Sequence, residues 1–411
     1  MKSAASAPID RGALEHTLAP FGASKTLPAD AYTSDELLQW ERRHFFARAW
    51  TAVGRASDLH PGDVKAVNAG SESVLLTRDG SGQLHVFYNV CRHRGHEIVA
   101  PGPSRSERVL KCPYHSWVYS LGGELKGAPH FGGLEGFDKS DYPLTRMRFV
   151  DWHGWIFVNP SSDAPEFHDY IGSLEHHVAA HAPERLITAA RHDYEAAANW
   201  KLLVENYHEC YHCPTIHPEL CRVSPPDSGS NYEPDGAWVG GSMELSEGAA
   251  TMSIDGASPV PALPGLDERR RRDVYYFGLF PNLLISLHPD YVMTHRIEPL
   301  SVNRTRIECE WLFDPSAVAP DDFDPRYATE FWDITNRQDW EACEGVQRGV
   351  SSYGYRQGPL SPREDAVYQF LAMTARGYID GAISAPPPMS EEKRALGLAA
   401  RGSSPRPRAK T

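Results

Sequence analysis

A chain of 411 residues with 41% apolar and 23% charged side chains holds enough material for one large core, or for two domains of roughly 100–200 residues each. The formal net charge of −13 argues against nucleic acid as a partner, and no run of roughly eighteen apolar residues is present that would span a bilayer. The start, MKSAASAPIDRG, lacks the apolar stretch of a secretory signal, and seven cysteines, an odd number, read as reduced thiols and metal ligands, so the expected location is the cytoplasm.

Residues 1 to about 30, rich in Ala, Ser and Pro, read as a loosely held arm. TSDELLQWERRHFFARAW (33–50) predicts a helix, capped by Thr33 or Ser34, with Leu37, Leu38, Phe45, Phe46 and Trp50 on its apolar side. From Val53 to Asn159 the pattern changes to short β-rich runs, such as SVLLTRDGSGQLHVFYNV (73–90) and WHGWIFVNP (152–160), separated by Gly-containing turns. A helical linker follows Pro160. The polar segment from about Pro225 to Asp273 reads as a lid or a disordered loop. Three strands of an antiparallel sheet are expected at 275–287, 291–299 and 305–315, and helices at 328–350 and 362–379. The tail from Ala385 to Thr411, with six Lys/Arg against two Glu, reads as disordered.

Two constellations carry metal chemistry. Inside the β-rich module, Cys91-x-His93 and Cys112-x-x-His115 are separated by eighteen residues, and two hairpin tips of this kind can close around a metal centre. A zinc ribbon is the bland reading of Cys₂His₂; the alternative is a [2Fe–2S] cluster with two cysteines on one iron and two histidines on the other. The second constellation lies in NWKLLVENYHECYHCPTIHP (199–218). Glu205, Glu209 and His212 fall at i, i+4 and i+7, on one face of a helix. His217 is about 140° off that face at 100° per residue, and Pro214 removes a backbone donor, so the helix must bend or stop near Cys213. Two imidazoles brought together by such a break, with a third ligand from elsewhere, suit a metal that keeps sites open for substrate. Cys210-x-x-Cys213 has no βαβ setting and reads as a pair of packing thiols, and Cys221, Cys309 and Cys343 as core residues.

With both motifs in this order, the chain resembles the oxygenase (α) component of Rieske non-haem iron oxygenases over about residues 40–380. The resemblance implies an α+β protein. An N-terminal arm and helix (1–48) would precede a β-rich Rieske [2Fe–2S] domain (49–160), a catalytic mononuclear iron domain (161–384) with an antiparallel sheet gripping a long helix, and the basic tail (385–411). Cys91 and Cys112 would hold one iron of the cluster, His93 and His115 the other. His212 and His217 would hold Fe(II), with a carboxylate completing a facial triad that leaves three positions for O₂ and water. Asp339, in QDWEACEGVQRG (338–349), sits where the carnitine and glycine-betaine branch carries that carboxylate; its rivals are Asp333, Glu341 and Glu344.

Glu209 looks like the acid that links a cluster histidine of a neighbouring copy, His115, to His212 in a head-to-tail homotrimer, with Glu205 as a helix-surface residue. Tyr114, Ser116 and Trp117 are placed to donate to the cluster sulfurs. The activity implied is hydroxylation by O₂ and two electrons, most readily of an N-methyl carbon in a quaternary ammonium compound such as glycine betaine, with Trp238, Tyr275, Phe277 and Tyr291 as a possible aromatic cage. The runner-up is the α subunit of an aromatic ring-hydroxylating dioxygenase; an electron carrier and a zinc-stabilised structural protein are more distant. No G-x-G-x-x-G follows a strand, so electrons are expected from a separate flavin- or ferredoxin-type reductase.

Overall fold

The computed structural model describes residues 6–389, and its two compact units comprise residues 41–167 and, together, the segments before 41 and after 167. In the first unit the strands are β1 (Thr51–Arg55), β2 (Asp63–Ala69), β3 (Glu72–Arg78), β4 (Leu84–Tyr88), β5 (Arg105–Ser106), β6 (Leu110–Lys111), β7 (Val118–Tyr119), β8 (Leu125–Gly127), β9 (Arg148–Trp152) and β10 (Trp155–Asn159). They form three antiparallel sheets, ordered β1-β10-β9, β4-β3-β2-β5 and β6-β7-β8. The two-residue period of a strand explains the layering. Leu75 and Phe87 enter one core with Cys91, Cys112, Trp117 and Tyr119, while Val74, Leu76 and Val86, one residue out of step, enter a second core with Val53, Ile156 and Val158. Between β9 and β10 the turn is His153-Gly154, at φ 48° and 83°, the doubly left-handed geometry that matches strand twist.

The second unit is built on a seven-stranded antiparallel sheet, ordered β11-β17-β16-β15-β14-β13-β12, from β11 (Ile187–Ala196), β12 (Ser230–Asn231), β13 (Trp238–Glu244), β14 (Asp273–Leu279), β15 (Leu283–Leu287), β16 (Val292–Ser301) and β17 (Arg304–Phe313). The helix Arg326–Val350 packs on β11 and on the helix Trp200–Tyr207. None of the described helices is long and apolar enough to cross a membrane.

Several expectations are corrected. Residues 1–5 of the N-terminal arm lie outside the described residues, and from residue 6 on the arm is not loose: Asp10 caps a helix Arg11–Thr17, Leu14 is fully buried, and this helix packs on the helix Asp365–Asp380. The helix expected over 33–50 is divided into Asp30–Thr33, Asp35–Glu41 and a wide five-residue turn Arg42–Phe46. The run 275–287 is a hairpin of two strands, because Pro281 has no N–H to continue a ladder. The polar segment from 225 to 273 is not a disordered loop: it contributes β12 and β13, and Met252, Leu263 and Leu266 are buried. Its strands escape a periodicity search because β13 is covered on both faces over Trp238–Met243, leaving no alternation to read. Of the expected disordered tail, residues 390–411 lie outside the described residues; Met389 is buried against Phe21, Tyr368 and Ala372 and its N–H donates to Glu233 at 2.9 Å.

Truncating Leu14 to Ala is expected to cost about 2–4 kcal/mol, as for other buried leucines. The thermal midpoint should fall by several degrees; an unchanged midpoint would mean that the N-terminal helix is held no more tightly than a tail.

Candidate metal centres

In the first unit, two loops present the cysteine and histidine pairs. Each loop returns a backbone N–H four residues on to the cysteine carbonyl, Gly95 to Cys91 at 3.0 Å and Ser116 to Cys112 at 3.1 Å. Gly95 and Ser116 both have positive φ, 73° and 59°, which reverses the chain tightly enough to face the two thiols inward. Cys91 and Cys112 are buried in the core and next to one another, whereas His93 and His115 are half-buried with ring centroids 4.6 Å apart. His93 stacks on Trp117 at 5.0 Å and 7°.

The chemistry of this set fits a cluster with a dry thiolate side and a wetter imidazole side. Nδ1 of His93 is buried without a hydrogen-bond partner, a costly state that a metal bond relieves. Burial, with help from His93, Arg94 and His96, holds His115 below the ordinary histidine range and so favours the neutral, metal-binding form.

The residue that touches the Cys91 sulfur was not foreseen. Tyr119 Oη lies 3.3 Å from Cys91 Sγ and accepts from the Arg92 N–H at 3.0 Å. Tyr114, one of the expected donors, is exposed and lies over His115; Ser116 acts through its backbone and Trp117 through its ring. Tyr119 was legible in principle, since it stands two residues after Trp117, enters the same core and pairs with buried Leu110.

The second set forms in the other unit. The helix expected to carry Glu205, Glu209 and His212 on one face ends at Tyr207, earlier than Cys213, so only Glu205 is helical. Glu205 is not a surface residue: Tyr32 donates to it at 2.8 Å, and burial pushes its carboxyl up to about 8. His212 caps the short helix Cys213–Ile216, and His217 stands where that helix passes into Pro218–Val223. Cys210 and Cys213, read from the sequence as separate thiols, are joined as a disulfide.

Nε2 of His212 lies 3.2 Å from Nε2 of His217 and 3.4 Å from Asp339 Oδ1, and His217 Nε2 lies 2.8 Å from the same oxygen. Among the described residues this is the group of ligand atoms gathered within 4.8 Å. Three donors about 2.1 Å from one ion and mutually at right angles stand about 3.0 Å apart, so the triangle fits facial coordination. The outer nitrogens fix both rings. His212 Nδ1 is bonded to Glu209 Oε1, and His217 Nδ1 to Gln338 Oε1 at 2.7 Å, which turns both Nε2 atoms inward.

Gln338 was missed in the sequence although it directly precedes Asp339. The rivals of Asp339 are engaged or remote: Asp333 accepts from Tyr194 at 2.7 Å, Glu344 accepts from the Ala197 N–H at 2.9 Å, and Glu341 is exposed. Burial opposes charge on His212, but Asp339 and Glu209 outweigh it and lift the imidazole to about 9; burial likewise pushes Asp339 up, and hydrogen bonds from His212 and His217 prevail to hold it below the usual range.

A cavity of about 410 Å³ opens onto the triad, walled by Tyr207, Tyr211, Tyr276 and Trp332, with Asp227, Asp365 and Arg363 also lining it. The expected cage does not form. Trp238, Tyr275, Phe277 and Tyr291 are buried in the sheet and its packing, and none of them lines this cavity.

Two outcomes follow. His212 must lose its proton before Nε2 can take a metal, so the affinity of the metal-free site for Co(II) should rise about tenfold per pH unit from about 6 to about 9 and then level off, as read by chelator competition; a flat profile would contradict this arrangement. Tyr119→Phe removes a contact worth about 1 kcal/mol, which for a one-electron couple lowers the cluster potential by about 40 mV in a redox titration.

Residues 49–138 match the Rieske [2Fe-2S] domain family, and residues 183–378 match the ring hydroxylating alpha subunit (catalytic domain) family. The glycine betaine monooxygenase oxygenase subunit of Pseudomonas aeruginosa is 29% identical over 378 residues, 85% of this chain and 88% of that protein. The carnitine monooxygenase oxygenase subunit of Escherichia coli is 29% identical over 336 residues, 80% of this chain and 86% of that protein. A solved quaternary ammonium Rieske monooxygenase, described in terms of carnitine oxidation and inter-subunit electron transfer, shares the fold with a TM-score of 0.73 at 23% identity, over 91% of this chain and 100% of that one. With a Rieske domain followed by the catalytic domain of a ring-hydroxylating α subunit, the chain belongs to the oxygenase components of the Rieske non-haem iron oxygenases, oxidoreductases that carry a [2Fe–2S] cluster and a mononuclear iron and draw electrons from a separate reductase.

Proposed function

We propose that this enzyme removes an N-methyl group from a small quaternary ammonium compound that also bears a carboxylate, such as glycine betaine or carnitine. The observation that carries the reading is the cavity over the triad, whose walls combine aromatic rings with acidic groups. Tyr207, Tyr276 and Trp332 offer π faces to a cation that cannot donate hydrogen bonds, and Asp227 and Asp365 add negative field. Arg363, exposed where it lines the cavity, suits a carboxylate at the other end of the substrate. An arene needs neither the acids nor the arginine, and the relatives named for betaine and carnitine weigh the same way.

Asp339, His212 and His217 would hold the mononuclear iron, and Cys91, Cys112, His93 and His115 the cluster. When bound, these groups supply electron storage and the activation of dioxygen. The chain's own residues orient and exclude: Glu209 and Gln338 keep the Nδ1 protons of His212 and His217 pointing away from the site, and the aromatic walls place a methyl carbon near the triad while displacing water. Oxidation of that methyl to a carbinol consumes O₂, two electrons and two protons and yields water; the carbinol then breaks at its C–N bond to release formaldehyde and the tertiary amine. The working form is a head-to-tail trimer in the cytoplasm, in which Glu209 reaches His115 of a neighbouring copy as well as His212, with a flavin- or ferredoxin-type reductase as donor.

Purified enzyme with NADH and a suitable reductase should release formaldehyde from glycine betaine or carnitine and form no diol from naphthalene. Trp332→Leu should raise KM for the cation about tenfold with a smaller change in kcat. Diol formation without formaldehyde would overturn the assignment in favour of ring hydroxylation.

A further inference from the structure

Cys210 and Cys213 bracket His212 in the chain, line the same cavity as the triad, and are bonded to each other. The ring they close spans only Cys210 to Cys213, where loop closure contributes least to stability. Outside exported proteins such bonds mostly act in redox chemistry.

The position of the second sulfur points to what it acts on. Cys213 Sγ lies 3.8 Å from His212 Nε2, the nitrogen that faces His217 and Asp339. A sulfur about 2.3 Å and a nitrogen about 2.1 Å from one ion stand about 3–4 Å apart when the angle at the ion is between 90° and 120°. Cys213 Sγ therefore stands at ligand-to-ligand distance from one donor of the triad; it is not among the ligand atoms gathered within 4.8 Å of one another, so its side chain must turn toward the triad to reach an ion held there. In a disulfide its sulfur carries no charge and is a poor ligand, whereas a thiol that gives up its proton is a strong one.

We infer that Cys210 and Cys213 form a redox-operated gate on the mononuclear site: bonded to each other they leave the open positions free, and as a dithiol they deliver the Cys213 sulfur to the metal. Reduction by a small dithiol balances as an exchange. One sulfur of the reagent attacks Cys210, the Cys210–Cys213 bond breaks and Cys213 leaves as a thiol. The second sulfur of the reagent then displaces Cys210, so the reagent departs as a cyclic disulfide and the protein retains two electrons and two protons as two thiols. Cys210 is half-buried and faces the cavity, which gives a small reagent its path; Cys213 is buried. On an occupied site Cys213 passes its proton to solvent as its sulfur binds, and one position open to dioxygen or substrate is lost. The gate is a property of the metal site and does not depend on which substrate the cavity takes.

The test uses the full-length protein with its cluster oxidised and cobalt(II) in the mononuclear site. Dithiothreitol should convert Cys210 and Cys213, and no other pair, from protected to alkylated by iodoacetamide after unfolding, as mapped by peptide mass. The same treatment should shift the cobalt paramagnetic resonance and add cobalt–thiolate absorption in the near ultraviolet, both reversed by diamide. Cys213→Ala should abolish the spectral response, and Cys210→Ala should show the cobalt–sulfur signature before any reductant. Alkylation of both cysteines without reductant overturns the proposal, as does a cobalt spectrum unchanged after reduction verified by mass; the wild-type measurement decides the matter even if a variant fails to fold. Since the readout is coordination, absence of amine turnover would count against the proposed substrate and leave this result intact.

Discussion

The catalytic unit is constrained by a need to bring one buried carboxylate and two imidazoles to a single point from positions 212, 217 and 339. A lone buried carboxylate is heavily disfavoured, and Asp339 is tolerable because both imidazoles meet it. Their meeting depends on how two helices are joined. Asn199, which caps Trp200–Tyr207 by accepting from Lys201, donates its own backbone N–H to Gln347 at 2.8 Å, and Glu344 accepts from Ala197. Gln338, Asp339, Glu344 and Gln347 all belong to the helix Arg326–Val350, so one rigid element supplies the carboxylate, the amide that orients His217 and the anchors that fix the approach of the opposing chain. Trp332 and Thr335 share the Asp339 face at helical spacing and extend it into the cavity wall.

The same division of labour, by different means, shapes the other centre. There the thiols come from within a core and the imidazoles from its rim, and no helix is involved. Two short loops with left-handed residues at Gly95 and Ser116 do the positioning, and Tyr119 and Trp117 on one strand margin brace a sulfur and an imidazole respectively. Such a site tolerates little substitution in its loops, because the backbone reversal and the donor atoms are specified by the same few residues.

What the sequence disclosed follows from where local pattern and tertiary role agree. The Cys91, His93, Cys112 and His115 spacing, the long helix ending at Val350 and the antiparallel strands were all legible because each is announced by residues close together in the chain. The helix expected to reach Cys213 was misjudged because periodicity alone continued past Tyr207, where the structure turns the chain instead at His208. β13 was hidden because a strand covered on both faces does not alternate, and Trp238 and Tyr275 were assigned to a cage although burial in a sheet is the commoner fate of such rings. The aromatic residues that do line the cavity come from three separate elements, β14 and the helices Trp200–Tyr207 and Arg326–Val350, together with the loop at Tyr211, a convergence that no window of sequence contains.

Glu205 and Glu209 show why residue type and spacing cannot assign a role by themselves. Four positions apart, they would be neighbours on a continuous helix, and a reading by periodicity gives them one environment. The end of the helix at Tyr207 separates them. Glu205 stays on the helix and turns inward to Tyr32, where burial lifts it to about 8, so at pH 7 the neutral acid predominates and the helix buries no unpaired charge there. Glu209 enters the loop, accepts the backbone N–H groups of Tyr211 and His212, and meets the His212 ring with its other oxygen. A carboxylate bound to both the backbone and the imidazole of one residue fixes that residue's orientation about its own Cα, and so the direction of Nε2. The break that removed Glu209 from the helix is thus what allows it to hold His212 on the triad.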